Sequence, residues 1–258
     1  MTTAFISPTI DLIHEHGSVR KYRAEPVPVA VIEQIVAAAQ HTSTSSNLQM
    51  WSVVAVTDPE LRKGLSEVAG QAHVAVAPVV FVWCADLSRL DRVCELRGYQ
   101  QVSEYVENFL LAAVDAAIAS QTAALAAESL GLGICYIGAL RNDPGKVVEL
   151  LQLPRLVFPL VGMTMGYPDG QPPIRPRLPL AAVLHWNAYD RSAEDDSLHA
   201  YDRTMIETGI YQGRQVAVPG QTGEMEDYGW LEHSARRVST PTRTELRRFI
   251  EQQGFGLR

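Results

Sequence analysis

The 258-residue sequence is poor in positive charge and in cysteine. It carries 22 Lys and Arg against 29 Asp and Glu, a net charge of −7, and so lacks the concentrated basic surface that nucleic-acid binding requires. Cys84, Cys94 and Cys135 are odd in number and widely spaced, which suits neither a disulfide framework nor a C-x-x-C pair. We expect no nucleic-acid partner and three free, mostly buried thiols.

The sequence also lacks an uncharged apolar run long enough to span a membrane. Its longest uncharged candidate, residues 116–127, lies between Asp115 and Glu128 and is shorter than the roughly 20 residues that cross a bilayer. Residues 1–16 contain neither a basic n-region nor a continuous apolar h-region. We expect no membrane partner, no signal peptide and a cytoplasmic location.

The signature motifs of several enzyme classes are missing. No Walker loop, G-x-S-x-G or H-E-x-x-H occurs, and the histidines show no ligand spacing beyond the pair His14 and His16. Residues 131–136 (GLGICY) place Tyr136 where a dinucleotide fingerprint has its third glycine, and they follow a predicted helix instead of opening one. We therefore predict no metal site and reject the dinucleotide fingerprint.

The remaining composition, 47% apolar and 20% charged residues, is that of an ordinary globular protein. Residues 105–130 are rich in Ala and Leu and apolar nearly all round, which predicts a long central helix buried by several neighbours and ended by Gly131. Prolines in positions that a first helical turn tolerates predict further helix starts at Pro8, Pro28, Pro59 and Pro144.

Four segments rich in β-branched and aromatic residues are predicted strands: 51–57, 78–84, 134–138 and 157–166. Helices interleaved with these strands indicate an α/β or α+β layered fold. Residues 168–179 and 212–229 are rich in proline or glycine and aperiodic, so we predict loops or mobile arms there. Residues 234–258 hold six Arg and two Glu, which predicts a locally basic C-terminal helix.

Three loops are rich in hydrogen-bond donors. His16, Ser18 and Arg20 alternate along one segment, residues 42–49 (TSTSSNLQ) carry hydroxyls and amides, and Arg175 and Arg177 lie in a proline-stiffened segment. Each alone has a simpler explanation, as a solvated basic loop or as turn and capping residues. Together they suggest an anionic ligand, because guanidinium groups bind phosphate through two parallel hydrogen bonds.

Five collinear motifs resemble those of one family. HGSVRKYRAEPVP, HTSTSSNLQ, GQAHVAVAPVVFVWCAD, AAESLGLGICYIGALRN and IRPRLPL, in this order and spacing, are similar to the FMN-dependent nitroreductase family. The nearest branch is the group of oxygen-insensitive NADPH nitroreductases and NADPH:flavin oxidoreductases. The resemblance covers roughly residues 8–190.

The resemblance implies an α+β fold with a central, mainly antiparallel sheet flanked by helices, a long buried central helix and a C-terminal extension. It implies an FMN-binding core over residues 1–190, and a C-terminal excursion and helix over 191–258 that pack on the core or on a partner, within a single domain overall. It also implies a homodimer in which both subunits build each FMN site.

The resemblance assigns cofactor contacts position by position. Arg20 is expected near the pyrimidine end of the flavin, where a cation stabilises charge on the reduced ring, and Gln71 at the pyrimidine edge. The serine-rich segment is expected to reach the flavin of the partner subunit, the backbone of residues 136–139 to pass N5, and the arginine pair to bind the phosphate. The implied cofactor residues are His16, Gly17, Ser18, Arg20, Ser43, Thr44, Ser45, Ser46, Gln71, Tyr136, Ile137, Gly138, Ala139, Arg175 and Arg177.

Several positions depart from the family pattern. Gly17 replaces a usual arginine, Ala139 replaces a glycine and is tolerated only at negative φ, and Asn47 replaces an aromatic residue on the substrate side. Residues 212–229, which help to hold NADPH in relatives, carry Arg214 among three acidic residues, Glu224, Glu226 and Asp227. The choice between NADH and NADPH stays open.

The hypothesis is a flavoenzyme that accepts hydride from NAD(P)H on bound FMN and passes two electrons to a nitroaromatic, a quinone or free flavin. Its cofactor carries the chemistry, so we assign no catalytic side chain. Weaker candidates for substrate contact are Asn47, Arg141, Arg214 and Arg236.

The alternative hypotheses keep the fold but assign the protein a different function. One is another acceptor, as in reductive dehalogenation or flavin supply to a monooxygenase. Another is an FMN-binding redox sensor with little turnover, and a third is a structural protein without a chromophore.

Overall fold

The computed structural model describes residues 7–218, 221 and 223–258. The described chain divides into two compact units. Unit 1 contains the described residues up to Ile174 together with Arg243–Arg258, and unit 2 is Arg175–Thr242. The division predicted at residue 190 falls inside unit 2. Residues 1–6, which belong to the segment expected not to be a signal peptide, lie outside the described residues. Residues 219, 220 and 222 of the predicted loop 212–229 also lie outside them.

Unit 1 consists of a sheet with helices before, between and after its strands. The strands are β1 (Trp51–Val56), β2 (Val79–Asp86), β3 (Gly133–Ile137) and β4 (Val157–Gly166). The helices are α1 (Pro8–His14), α2 (Val29–Ala39), α3 (Pro59–Ala69), α4 (His73–Val76), α5 (Ser88–Arg97), α6 (Val106–Ser129), α7 (Pro144–Leu151) and α10 (Leu246–Gln252).

The sheet has the order β1-β2-β4-β3, and each neighbouring pair is antiparallel. Representative partners are Trp51 with Ala85 and Gly133 with Gly166. Strand β2 is buried along its whole length, because side chains on both faces of the sheet are covered. The predicted antiparallel sheet and all four predicted strands are confirmed, with end shifts of one or two residues.

The predicted helix starts are also confirmed. Helices α1, α3 and α7 begin at the prolines themselves, and α2 begins directly after Pro28. The Asp58 side chain accepts a hydrogen bond from the Leu61 amide at 2.9 Å, and Asp143 does the same for Lys146 at 2.9 Å. These are N-cap bonds, which satisfy amide groups that have no partner within the helix.

Helix α6 packs on the sheet through a face made largely of alanine. Ala116, Ala119, Ala123 and Ala127 are fully buried, and their small side chains let the helix backbone lie close to the strands. Gly131, at φ 75°, follows the end of the helix as predicted. By length and composition alone α6 passes the test for a membrane span, as the core helix of a globular domain also does.

The predicted long central helix is confirmed, but part of its apolar surface is exposed among the described residues. Val106, Leu110, Val114 and Ile118 recur every four residues along α6, and 42–53% of each is exposed. Residues four apart lie on one face of a helix. Helix α6 therefore has one apolar face, called here the 106–118 stripe, that the described residues leave uncovered.

Unit 2 contains α8 (Glu194–Glu207), α9 (Trp230–Ser239) and a hairpin of β5 (Gln215–Ala217) and β6 (Met225–Asp227). Its small core is Tyr201, Met205, Tyr211, Val216 and Tyr228. The hairpin corrects the prediction that 212–229 is only loop or mobile arm. Its strands have three residues each and are mostly exposed, which is too short and too polar to produce a periodic signal.

The basic C-terminal helix is also corrected, because residues 234–258 contribute to two helices. Helix α9 ends before Thr240, which is extended (φ −106°, ψ 122°) and precedes Pro241. The residue before a proline is disfavoured in helical conformation. Helix α10 then belongs to unit 1, where Phe255 packs against Phe109 at 5.4 Å between ring centroids.

The three cysteines are free, as predicted. Cys84 and Cys135 are buried, and Cys94 is partly exposed. Burial raises the pKa of the Cys84 thiol to about 12, so this thiol stays protonated near neutral pH.

Candidate functional site

The first donor-rich segment lies beside the edge strand β3. The Val19 amide donates to the Ile134 carbonyl at 2.8 Å. The Tyr22 hydroxyl donates to the Val19 carbonyl at 2.7 Å and lies 2.8 Å from the Thr164 hydroxyl. Burial raises the pKa of Tyr22. This segment is therefore fixed by backbone pairing and by a buried phenol, while Arg20 itself is exposed.

The Arg20 guanidinium lies close to two other groups of unit 1. Burial lowers the pKa of His73, and the charge of Arg20 lowers it further. Burial raises the pKa of Cys135 on β3, whereas Arg20 and a hydrogen bond from Ser18 act in the opposite direction. Ser18 and Arg20 flank Val19, which pairs with Ile134 of β3, and the charge of Arg20 also acts on His73, two residues after Gln71.

A cavity of about 330 Å³ opens at this place. Ser18, Arg20 and Lys21 line one side, and residues 169–173 line the other. Arg20, Lys21 and the Ser18 hydroxyl face a proline- and glycine-rich turn that also carries the Asp169 carboxylate, so this concave surface has an excess of one positive charge. Such a surface suits an anionic or electron-rich ligand.

Gly17 allows a close approach between two backbone segments. A Cβ atom on Gly17 would lie 2.9 Å from Cγ of Pro172 and 3.2 Å from the carbonyl oxygen of Pro173. Neither a proline ring nor a backbone carbonyl moves easily. In this chain no side chain fits at position 17, which explains the departure from the arginine of the family pattern.

His16 is held by α6. Its Nδ1 lies 2.5 Å from Oε1 of Glu128, and Oε2 of Glu128 is buried without a partner among the described residues. Both side chains line a second cavity of about 230 Å³. The sequence patterns did not single out Glu128, since an acidic residue near the end of a helix carries no signal of its own.

Gln71 follows the end of α3, where Gly70 takes a left-handed conformation (φ 61°). Its carbonyl accepts from the Ser66 hydroxyl at 3.0 Å, and its amide donates to the Ser66 carbonyl at 3.2 Å. In the described part of the chain the Gln71 side chain makes no hydrogen bond. The bonds to Ser66 thus fix the Gln71 backbone, while its side-chain carboxamide can hydrogen-bond to a ligand.

The serine-rich segment lies between α2 and β1 and includes a short 3-10 turn, Ser45–Asn47. Ser43 and Ser46 are exposed, and Thr44 and Ser45 are partly exposed. The Thr42 hydroxyl accepts from Thr122 of α6 at 3.2 Å. Hydrogen bonds of this region lead to α6 and not to the segment around Arg20.

Residues 136–139 run from β3 into a 3-10 turn, Gly138–Asn142. The Tyr136 hydroxyl donates to the Ser120 hydroxyl of α6 at 3.2 Å. Ala139 is not among the described residues with positive φ, so the condition for alanine at this position is met. Arg141 donates to the Leu160 carbonyl at 2.5 Å, and burial lowers the pKa of its guanidinium; part of this group is already engaged inside the protein.

Unit 2 holds the remaining candidates. Arg175 and Arg177 are exposed, and Arg177 donates to the Arg175 carbonyl at 2.8 Å. The Arg214 guanidinium lies 3.8 Å from the centre of the Tyr228 ring, and both residues line a cavity of about 380 Å³. Arg236 pairs with Glu232, which raises the pKa of the arginine. Glu224, Glu226 and Asp227 are exposed, with Asp227 at the Arg214 cavity.

Within the described residues, no group of three His, Cys, Asp or Glu side chains lies together as metal ligands would. Unit 1 thus brings Ser18 and Arg20 to one cavity beside β3 and His16 to the cavity that Glu128 also lines; Gln71 is not among the lining residues of either. The serine-rich segment is attached to α6, and the candidates of unit 2 form a group of their own.

Two family models match the chain. The Nitroreductase family model matches residues 13–167, and the Nitroreductase family, C-terminal domain, matches residues 175–258. The protein belongs to the nitroreductase family, and the membership predicted from the five motifs is confirmed.

Characterised relatives match over nearly the full length. An FMN reductase (NADPH) of Bacillus subtilis is 37% identical over 96% of this chain and 98% of its own length. An oxygen-insensitive NADPH nitroreductase of Salmonella typhimurium is 38% identical over 98% of this chain and 100% of its own. Among solved structures, the NADPH:FMN oxidoreductase of Vibrio harveyi complexed with NAD⁺ superimposes with a TM-score of 0.85, at 33% identity, over 98% of this chain and 100% of that one.

Proposed function

We propose that this protein is an FMN-dependent NAD(P)H oxidoreductase that reduces nitroaromatics, quinones or free flavin. The observation that carries the proposal is the cavity beside β3 that is lined by Ser18, Arg20 and Lys21, in a chain whose relatives are named FMN reductase and NADPH nitroreductase.

The side chains of unit 1 fit a flavin. A flavin ring needs hydrogen-bond donors and acceptors along its pyrimidine edge, and a cation near that edge favours the reduced, negatively charged ring. The Gln71 carboxamide offers both a donor and an acceptor, and the Arg20 guanidinium offers the cation. His16 and Ser18 are the proposed partners of the ribityl phosphate end.

FMN, when bound, supplies the two-electron chemistry between nicotinamide and acceptor. The protein would bind and orient the cofactor and shape the space above it. We propose that residues 136–139 form the wall at N5, because β3 pairing fixes their backbone, and that Asn47 makes the substrate side polar. Protons can come from solvent, so no side chain is assigned as acid or base.

We propose that the protein is a homodimer. The 106–118 stripe is a continuous apolar face on the longest helix of the described chain, and such faces mark protein interfaces. The serine-rich segment is attached to the same helix, away from the Arg20 segment, which supports a site completed by Ser43–Ser46 of the second subunit.

The nicotinamide nucleotide is proposed to contact unit 2 through Arg214. Its guanidinium is stacked on Tyr228 and has no ion-pair partner within the described residues, which leaves its charge available to a phosphate. Arg236 is the weaker candidate, since Glu232 already neutralises it. We also propose a cytoplasmic location, because three free thiols suit a reducing compartment.

The decisive experiment combines flavin binding with the two half-reactions. The purified protein, reconstituted with FMN, is mixed anaerobically with NADH or NADPH and then with a nitroaromatic. We expect loss and then return of flavin absorbance, and the faster donor identifies the nucleotide preference.

Arg20→Ala is the matched test of the site, with Arg23→Ala as its control on the same segment. Loss of a charged hydrogen bond is expected to raise the FMN dissociation constant about 10-fold or more for Arg20→Ala and to leave it unchanged for Arg23→Ala. A protein that takes up no FMN would overturn the proposal, and unchanged FMN affinity in Arg20→Ala would overturn the placement of the flavin.

A further inference from the structure

The buried carboxylate of Asp115 lies on the alanine-rich face of α6 and is 2% exposed. Its Oδ1 accepts the Ser45 amide at 3.0 Å, and its Oδ2 accepts the Met50 amide at 3.1 Å. Both oxygens are therefore used on the backbone of one segment, and the two amides bracket the turn that follows Thr44.

The bracketed turn has an unfavourable backbone conformation. Ser46, Asn47 and Gln49 have φ values of 49°, 57° and 52°, in the left-handed region that residues with a Cβ atom rarely adopt. The bonds within the turn are mostly long: the Asn47 amide lies 3.4 Å from the Thr44 carbonyl, and the Gln49 amide lies 3.4 Å from the Thr44 hydroxyl. External partners hold this conformation: Asp115 accepts from the Ser45 and Met50 amides, and Arg89 donates to the Gln49 carbonyl at 2.9 Å.

A carboxylate at this position is costly for folding. Removing a charge from water is unfavourable unless strong hydrogen bonds replace the lost hydration, and an alanine would continue the pattern of Ala112, Ala116 and Ala119. Hydrogen bonds between amide donors and an ionised acceptor are stronger than neutral ones. The two hydrogen bonds offset this desolvation cost, and they also fix a turn that its own residues do not favour.

We infer that Asp115 is a positioning residue for the flavin site: it holds residues 44–46 in their binding conformation before FMN arrives. The inference rests on the proposed function, in which these residues contact the flavin. A segment ordered in advance binds its ligand more tightly, because less conformational entropy is lost on binding. Asp115 itself is buried beneath the turn and touches the segment only through its backbone.

The test compares Asp115→Asn with Val147→Ala. Asparagine keeps the shape of the side chain but presents an NH₂ group to one of the two amides, so one bond is lost. Val147→Ala truncates a buried side chain of α7 in a core cluster that contains none of residues 42–50, so it lowers stability without touching that segment. FMN affinity is measured by fluorescence titration, and the melting temperature of the FMN-free protein is measured alongside.

We expect the FMN dissociation constant to rise about 10-fold or more in Asp115→Asn and to stay within about twofold of the wild type in Val147→Ala at a similar loss of melting temperature. Equal affinities in the two variants would overturn the inference while leaving the proposed function intact. A wild-type protein that binds no FMN would overturn both.

Hydrogen exchange on the FMN-free wild type makes the test independent of how the variants fold. The Ser45 and Met50 amides are expected to exchange slowly before FMN is added. Exchange at the rate of unprotected amides would show that the segment is not held in advance, and would overturn the inference.

Discussion

Gly17 is a residue whose missing side chain shapes the candidate site. The space where a Cβ atom would lie is filled by Pro172 and Pro173, which belong to the opposite wall of the Arg20 cavity. Close packing of this kind tolerates little added volume.

Gly17→Ala is expected to lower the free energy of unfolding by about 1–3 kcal/mol, because the added methyl group forces the proline segment away. It is also expected to weaken FMN binding. Urea unfolding and fluorescence titration measure the two effects.

Gly64→Ala is the control for this variant. Its added methyl group meets only the flexible side chain of Leu150 at 3.0 Å, and alanine favours the helix by about 1 kcal/mol. If Gly17→Ala and Gly64→Ala lowered the free energy of unfolding equally, the clash with the proline segment would not be the cause.

The proposed flavin contacts come from the resemblance to the family motifs, whereas residue type alone indicated only an anionic ligand for the donor-rich loops. Arg20 and Gln71 carry donors that suit a flavin, and the family motifs gave their positions. Asp115, Glu128 and His73 were not predicted, because each stands alone in its sequence context and acquires its role only when distant segments meet. The 65 or more positions between Asp115 and its partner amides leave no local pattern.

Helices α3 and α7 show how local chemistry sets the bounds of an element. Each has a capping aspartate followed by proline, and both starts were predicted to the residue. The capped amides are near the surface, where the hydrogen bond competes with water.

Asp58→Ala is therefore expected to lower the free energy of unfolding by about 1 kcal/mol, measured by thermal or urea unfolding. Asp58→Asn is the control, since asparagine caps about as well as aspartate. A loss in the asparagine variant as large as in the alanine variant would show that the charge, and not the cap, matters.

Elements without such local signals were missed or misjudged. The β5–β6 hairpin was predicted as loop because its strands are short and exposed, with Val216 as the residue that turns into the core. The division between α9 and α10 depends on Pro241, and the assignment of α10 to unit 1 depends on tertiary contacts of Phe255 that no local pattern contains.

At the scale of the whole molecule, the 106–118 stripe is the feature that a single chain leaves unexplained. It runs along the same helix that holds Ser45 through Asp115, His16 through Glu128 and Tyr136 through Ser120. The same helix therefore contacts three of the residues that we assign to the flavin, so a change at its outer face is expected to affect them.

Leu110→Glu is expected to convert a dimer to a monomer and to lower FMN occupancy together with it, because a charge in an apolar interface is unpaired. Light scattering after size-exclusion chromatography measures the mass, and the flavin absorbance measures occupancy. Val29→Glu, at an exposed apolar residue of α2 outside the stripe, is expected to change neither. A Leu110→Glu variant that stays dimeric would place the interface elsewhere.

The return of residues 243–258 to unit 1 has a consequence for how the protein is made. Phe109 and Phe158 lie in a core that Phe255 completes, and 97 residues (255 − 158) separate the last two. At about 5–20 residues per second, a ribosome needs roughly 5–20 s to add them. During this interval, in which the whole of the second unit is synthesised, the core of the nascent first unit lacks Phe255 and its apolar cleft stays open. A chain cut short before Phe255 would carry that cleft permanently, so premature termination even a few residues early should yield a substrate for chaperones and proteases.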